Sequence, residues 1–296
     1  MRESPAYARH KQLVDPARSH PQLWRMLLGC GLIGVIVFAL NALMFAGVTF
    51  ARPAEGIDMF LSGRSPTGLV VVLYSFAFVV LAVALALRVF HHRSLRALLG
   101  PLPLAVRQFA GVSVRLAALA ALLLALPPYA LDAPLEPNLT FGKWLIFLPL
   151  ALGGLFVQTG AEEVLFRGYL QQSLAARFRN PVVWIGMPSV LFGLGHYLPS
   201  QAGDNAWLIV VWSGFFGVLM ADLTARAGTL GPAIALHFFN NIVALVFIAL
   251  PGGLDGLALY HLPYEMSDTG PLRAWLAVDF ALMLIGWLIA RITIRR

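Results

Sequence analysis

Residues 144–168 read WLIFLPLALGGLFVQTGAEEVLFRG, and the class of the whole chain turns on them. An apolar run long enough to cross a bilayer closes on two adjacent carboxylates, Glu162 and Glu163, with Arg167 following. Ionisable side chains at membrane depth are costly, so they face a protein interior or a wet cavity and mark function. Downstream, two further apolar segments carry one histidine each, His196 and His237. Carboxylates and imidazoles on separate membrane helices are the parts of a hydrolytic site.

Working outward, the rest of the chain has the same character. Of its 296 residues 59% are hydrophobic and 12% charged, with a mean hydropathy of +0.79. A soluble domain carries about 25% charged residues, so the expected fold is an all-α polytopic membrane protein. Apolar stretches of roughly 17–25 residues predict about eight transmembrane helices: Leu23–Phe50, Pro66–Phe90, Gln108–Tyr129, Trp144–Phe166, Val182–Leu198, Ala206–Ala225, Thr229–Leu250 and Ala274–Ile292. The first is too long for a removed signal peptide and is expected to remain as an anchor. Residues 1–22 then form an N-terminal tail, and 23–296 a single transmembrane domain.

The distribution of charge orients this bundle. With both termini cytoplasmic, 17 of the 21 basic residues fall on the inner side, and Arg52, Arg64, Lys143 and Arg273 alone fall outside. That bias is what membrane insertion imposes, so the isoelectric point near 10.1 implies no nucleic-acid partner. The one cysteine, Cys30, rules out a disulfide framework or a cysteine metal site. Arg115 can snorkel to the interface. Asp222 and Asp279, near the ends of their spans, need no catalytic role. Asn138-Leu139-Thr140 matches a glycosylation sequon, a pattern that often arises by chance.

Adjacent helical positions point about 100° apart, so Glu162 and Glu163 cannot serve one site equally. Glu163 and Arg167, four apart with the acid first, suit an ion pair on one helix face. Glu162 then has no evident partner on its own helix and suits a general base acting on water. His196 follows Phe192 by four residues, and His237 precedes Asn241 by four, so each pair shares a face. Glycines 193 and 195 leave room for a close backbone approach or a ligand. Each polar face alone could be a hydrogen-bonding staple between helices; three in one chain favour a shared cavity.

Glu162-Glu163-x-x-x-Arg167, Phe192-x-x-x-His196 and His237-x-x-x-Asn241, in that order, resemble the three motifs of the CPBP family. This family comprises CAAX prenyl protease 2 and the bacteriocin-processing (Abi) intramembrane endopeptidases. The resemblance covers a core at about 144–250. It implies an eight-helix glutamate-dependent protease that cuts peptide bonds in or beside the membrane. Glu162 would activate water and His196 would hold or polarise it, while His237 and Asn241 would donate to the oxyanion. Glu163 and Arg167 would support the site, and Phe192 would shape it.

Two imidazoles and a carboxylate could instead hold zinc with an open position for water, through Glu162, His196 and His237. No His-Glu-x-x-His pattern is present, and the metal-free mechanism without a cofactor is preferred. His196 lies about 20 Å along its helix at 1.5 Å per residue, whereas Glu162 and His237 lie near the cytoplasmic ends of theirs. The fourth helix must therefore continue past Arg167, and the site is expected in a cavity open to the cytoplasm. The partners expected are the lipid bilayer and a peptide or membrane-protein substrate, and short loops suggest a bacterial inner membrane. Two alternatives stand beside the protease: a non-catalytic scaffold, immunity or regulatory protein, and a proton-coupled transporter. No internal repeat of the kind many transporters show is visible.

Overall fold

The computed structural model describes residues 5–51, 62–125 and 134–295; Arg52 and Tyr129, which entered the reading above, lie outside the described residues, as do four residues of the N-terminal tail and Arg296. The chain is a polytopic all-α membrane protein. Among the described residues, six helices are long and apolar enough to cross a membrane, and two shorter apolar helices stand among them. In chain order they are α1 (Leu23–Ala51), α2 (Pro66–His91), α3 (Leu102–Ala125), α4 (Phe141–Arg177), α5 (Val182–Leu194), α6 (Ala206–Ala227), α7 (Gly231–Phe247) and α8 (Thr269–Ile294).

Two boundaries depart from the predicted spans in ways that shape the site. Helix α4 does run on past Arg167, to Arg177, through a π-helical turn at Val164–Leu170 immediately after the two glutamates. Such turns are rare and concentrate at functional sites. Helix α5 stops at Leu194 rather than Leu198, giving about 20 Å of helix against roughly 30 Å of hydrocarbon. Gly195 and His196 form a turn, and Pro199 opens the next helical segment. His196 thus sits at the mouth of a short helix, where its imidazole is only partly buried.

Close helix contact around the site depends on Gly193. A Cβ there would lie 2.6 Å from the Val210 carbonyl oxygen and 3.0 Å from the Gly214 nitrogen, so α5 and α6 touch backbone to backbone. Of the two glycines flanking the histidine, this one serves packing. The cluster beneath contains Phe192, Phe216, Met220 and Leu236.

At one end of the bundle Ile248–Ala249, Tyr260–His261 and Glu136–Pro137 form a small sheet, with the middle strand parallel to the first and antiparallel to the last. The amide of Asn138, the sequon residue, donates to the Asp255 and Ala258 carbonyls at 2.9 Å each and serves this cap.

The opposite end carries both termini. Residues 5–17 form three short helical turns that bury Leu13, Val14 and Ala17 against the bundle. Gln12 donates to the Gly228 carbonyl at 2.7 Å, and Arg9 to the Ile294 carbonyl at 3.0 Å. Gly228 ends α6 with a φ of +71°, the left-handed conformation glycine adopts without strain. A Cβ on it would stand 2.6 Å from the Arg9 carbonyl oxygen.

Candidate active site

Three elements bring the polar side chains together: the end of the α-helical part of α4, the first half of α7, and the end of α5. Glu163 is fully buried. Its Oε1 accepts from Arg167 Nη1 at 3.0 Å and from His237 Nδ1 at 2.8 Å. Arg167 is itself buried, donates through Nη2 to the Gly217 carbonyl at 3.2 Å, and lies 4.7 Å from the Phe192 ring centroid. A buried ion is tolerated when it is paired and its remaining donors are occupied. The expected ion pair on one face of α4 is present; the sequence did not reveal that the same oxygen also receives His237 from α7.

Glu162 is the less committed acid. Its side chain is 17% exposed, and its Oε2 stands 3.5 Å from His237 Nε2. Oε1 accepts from Gln158 Nε2 at 2.8 Å, while Oε2 accepts no hydrogen bond. The expectation that Glu162 lacks a partner on its own helix is corrected here, because Gln158 sits one turn earlier on the same face. Gln158 in turn accepts from Asn241 Nδ2 at 2.9 Å, so one amide ties the α4 glutamate to the α7 asparagine. The i, i+4 spacing of Gln158 and Glu162 was the available signal. It was hidden inside a run that reads as uniformly apolar.

His196 stands apart from this hydrogen-bonded group. Its Nδ1 donates to the Phe192 carbonyl at 2.8 Å, since a carbonyl can only accept. In the neutral ring this leaves the lone pair on Nε2. The Phe192 ring packs 4.7 Å from the His196 ring and 6.0 Å from the His237 ring, so it contacts both imidazoles. Among the described residues, no three His, Cys, Asp or Glu side chains are grouped so that they could hold a metal ion. The alternative zinc ligands Glu162, His196 and His237 are therefore not assembled into a metal site in this arrangement.

Among the described residues, the chain between Glu162 and the end that carries the termini is packed, where the sequence reading expects a cavity open to the cytoplasm. From Glu162 toward that end, Arg167, Tyr169, Gln171, Gln172 and Leu174 are buried, as is α6 from Leu219 to Ala225. Gln171 donates to the Ala221 carbonyl, and Gln172 accepts from Arg93, filling the space with hydrogen bonds. The N-terminal turns pack over this plug through Leu13, whose carbonyl also accepts from Arg93. A segment read from its charges as a tail supplies apolar side chains that complete the core. The partly exposed members of the site, Glu162, His196 and Asn241, lie on the side away from the plug.

Comparison with known proteins agrees with the motif reading. Residues 143–243 match the family model described as type II CAAX prenyl endopeptidase Rce1-like, so the resemblance to the CPBP family holds over the segment that carries the site. The chain is also 30% identical over 122 residues to the uncharacterized protein YyaK of Bacillus subtilis (strain 168). That likeness takes in 38% of this chain, which spans 39% of the relative's length. No solved structure matches.

Proposed function

We propose that the protein is an intramembrane endopeptidase in which Glu162 activates water against a peptide bond of a membrane-associated substrate. Glu162 holds one oxygen on Gln158 and leaves Oε2 without a hydrogen bond, 3.5 Å from His237 Nε2. Glu163 is fully buried and balances the Arg167 guanidinium, whereas Glu162 is 17% exposed and its Oε1 receives only a neutral amide; that contrast is the observation that carries the assignment.

In the proposed cycle Oε2 takes a proton from water as its oxygen adds to the scissile carbonyl. The carbonyl π bond becomes an oxyanion, which two donors serve. Asn241 spends one N–H on Gln158 and keeps its second for the oxyanion. His237, oriented by Glu163 through Nδ1, donates from Nε2 when that nitrogen carries a proton. His196, with Nδ1 on a carbonyl, offers Nε2 to orient the water. Collapse breaks the C–N bond, and Glu162 returns its proton to the leaving amine. Loss of one oxyanion donor typically costs about 10²–10³ in rate. The cycle uses no cofactor, and substrate enters from the side away from the N-terminal plug. Both termini are assigned to the cytoplasm on the charge bias, and the protein to a bacterial inner membrane on that bias and its short loops.

Comparative proteomics of membrane fractions from cells carrying the native chain or Glu162→Gln tests this reading. Uncut membrane proteins should accumulate with the variant. Identical fragment patterns in the two fractions, with both proteins folded, would remove the catalytic role of Glu162.

A further inference from the structure

At the end that carries the termini, three separate stretches of chain build a concave basic cleft of about 290 Å³, lined by Arg9 of the N-terminal turns, Arg226 of α6, and Arg291 and Arg295 of α8. The bias of membrane insertion accounts for basic residues on that side. It does not account for four guanidinium groups meeting around one space from positions up to 286 residues apart. Among the described residues the wall of the cleft carries no carboxylate.

Asp222, the acid that pairs with Arg226, is already spent. Asp222 receives the Arg226 Nε on both oxygens, at 2.8 and 2.9 Å, the Tyr7 hydroxyl at 2.8 Å and the Trp287 indole N–H at 3.2 Å. It balances Arg226 and nothing more. Arg9 satisfies one N–H on the Ile294 carbonyl. Arg291 lies with its guanidinium 4.7 Å from the Trp287 ring centroid, and its Nε is buried without a hydrogen-bond partner. Among the described residues no carboxylate pairs with Arg9, Arg291 or Arg295, which face the cleft beside the tryptophan and isoleucine of the last turns of a membrane helix.

We propose that this cleft binds a phosphate group, presented by the headgroup of an anionic phospholipid in the leaflet at that end. Arginine forks match phosphate oxygens in pairs, and basic pockets between membrane helices take anionic headgroups. Because Arg9 belongs to the N-terminal segment, a bound headgroup also holds that segment onto the bundle.

The test uses the full chain purified in detergent, with retention of phosphatidylglycerol or phosphatidylcholine read by native mass spectrometry. The native protein should retain phosphatidylglycerol in preference. Arg291→Gln and Arg295→Gln should each weaken retention about fivefold, from about 1 kcal/mol per basic group, with circular dichroism unchanged. Equal retention of the two lipids, or no loss in either variant, overturns the site. Displacement of the lipid by inorganic phosphate at the same molar concentration would assign the cleft to a soluble anion and overturn the lipid source. Arg295 is exposed, so its variant is informative even if Arg291→Gln fails to fold.

Discussion

Replacing each of the adjacent glutamates by glutamine separates two roles that sequence alone leaves entangled. Glu163 is 0% exposed and is the acid that balances Arg167, 1% exposed, while also receiving His237 Nδ1. Glu163→Gln leaves a fully buried guanidinium without a counter-charge. Breaking a buried pair from one side costs about 3–5 kcal/mol. At roughly 2–4 °C per kcal/mol for a chain of this size, the melting temperature should fall on the order of 10 °C. Glu162 is partly exposed, and the Gln158 amide that donates to it can turn to serve a glutamine. Glu162→Gln should therefore cost under about 1 kcal/mol, yet remove the base and lower turnover by about 10²–10⁴. Thermal melts in detergent, read by tryptophan fluorescence, with peptide-bond cleavage assayed on the same preparations, measure both quantities. The division of labour is wrong if Glu162→Gln unfolds the protein while Glu163→Gln melts like the native chain.

Four further outcomes follow from particular contacts. Gln158→Leu removes the amide that pins Glu162 and orients Asn241, and should lower kcat about 10- to 100-fold at unchanged KM, from the worth of a hydrogen bond to a charged group; steady-state kinetics decide it. Gly193→Ala forces α5 from α6 and should cost about 1–3 kcal/mol, whereas Gly186→Ala, facing open space, should leave the melt unchanged. His10 is buried against Trp184 in the N-terminal plug, and burial pushes its imidazole down to about 4 from an ordinary 6.5. The docked segment then binds fewer protons than a released one between those values. Docking is full above pH 6.5 and weakens by up to about 3 kcal/mol as pH falls to 4; limited proteolysis near residue 20 should accelerate over that window and lose its pH dependence in His10→Phe. Chelators should leave cleavage unchanged, and stoichiometric zinc lost together with activity would instead restore the metal alternative.

The bundle was legible because composition and length constrain membrane helices so tightly: each of the eight predicted spans overlaps a helix, and α1, α2, α6 and α7 agree within three residues at both ends. Helix α4 overruns its predicted end, from Phe166 to Arg177, and the shortfall of α5 is instructive. Apolarity continues through Leu194, Tyr197 and Leu198, but Gly195 and Pro199 end the helix, and a hydropathy reading weighs the first feature and not the second. At the site, contacts within one helix could be read from spacing, as with Glu163 and Arg167. Contacts between helices could not. Nothing in the sequence says that His237 turns Nδ1 to Glu163 rather than Glu162, or that Phe192 packs against both histidines. The N-terminal segment was misread for a related reason. Four basic residues in its first 18 dominate the composition, and the burial of Leu13 and Val14 depends on a surface that exists only after the end of α4 and the turn at Arg96–Leu99 have packed.

The account stands on a water molecule being added across a peptide bond by Glu162, and isotope labelling measures that event. The purified protein is incubated in liposomes with extracted membrane proteins in water enriched in oxygen-18, and new peptide C-termini are sought by mass spectrometry. The native chain should generate ends carrying the heavy oxygen, and Glu162→Gln should generate none above background. A folded native chain that yields no labelled ends, or a variant that yields the same ones, would contradict the assignment.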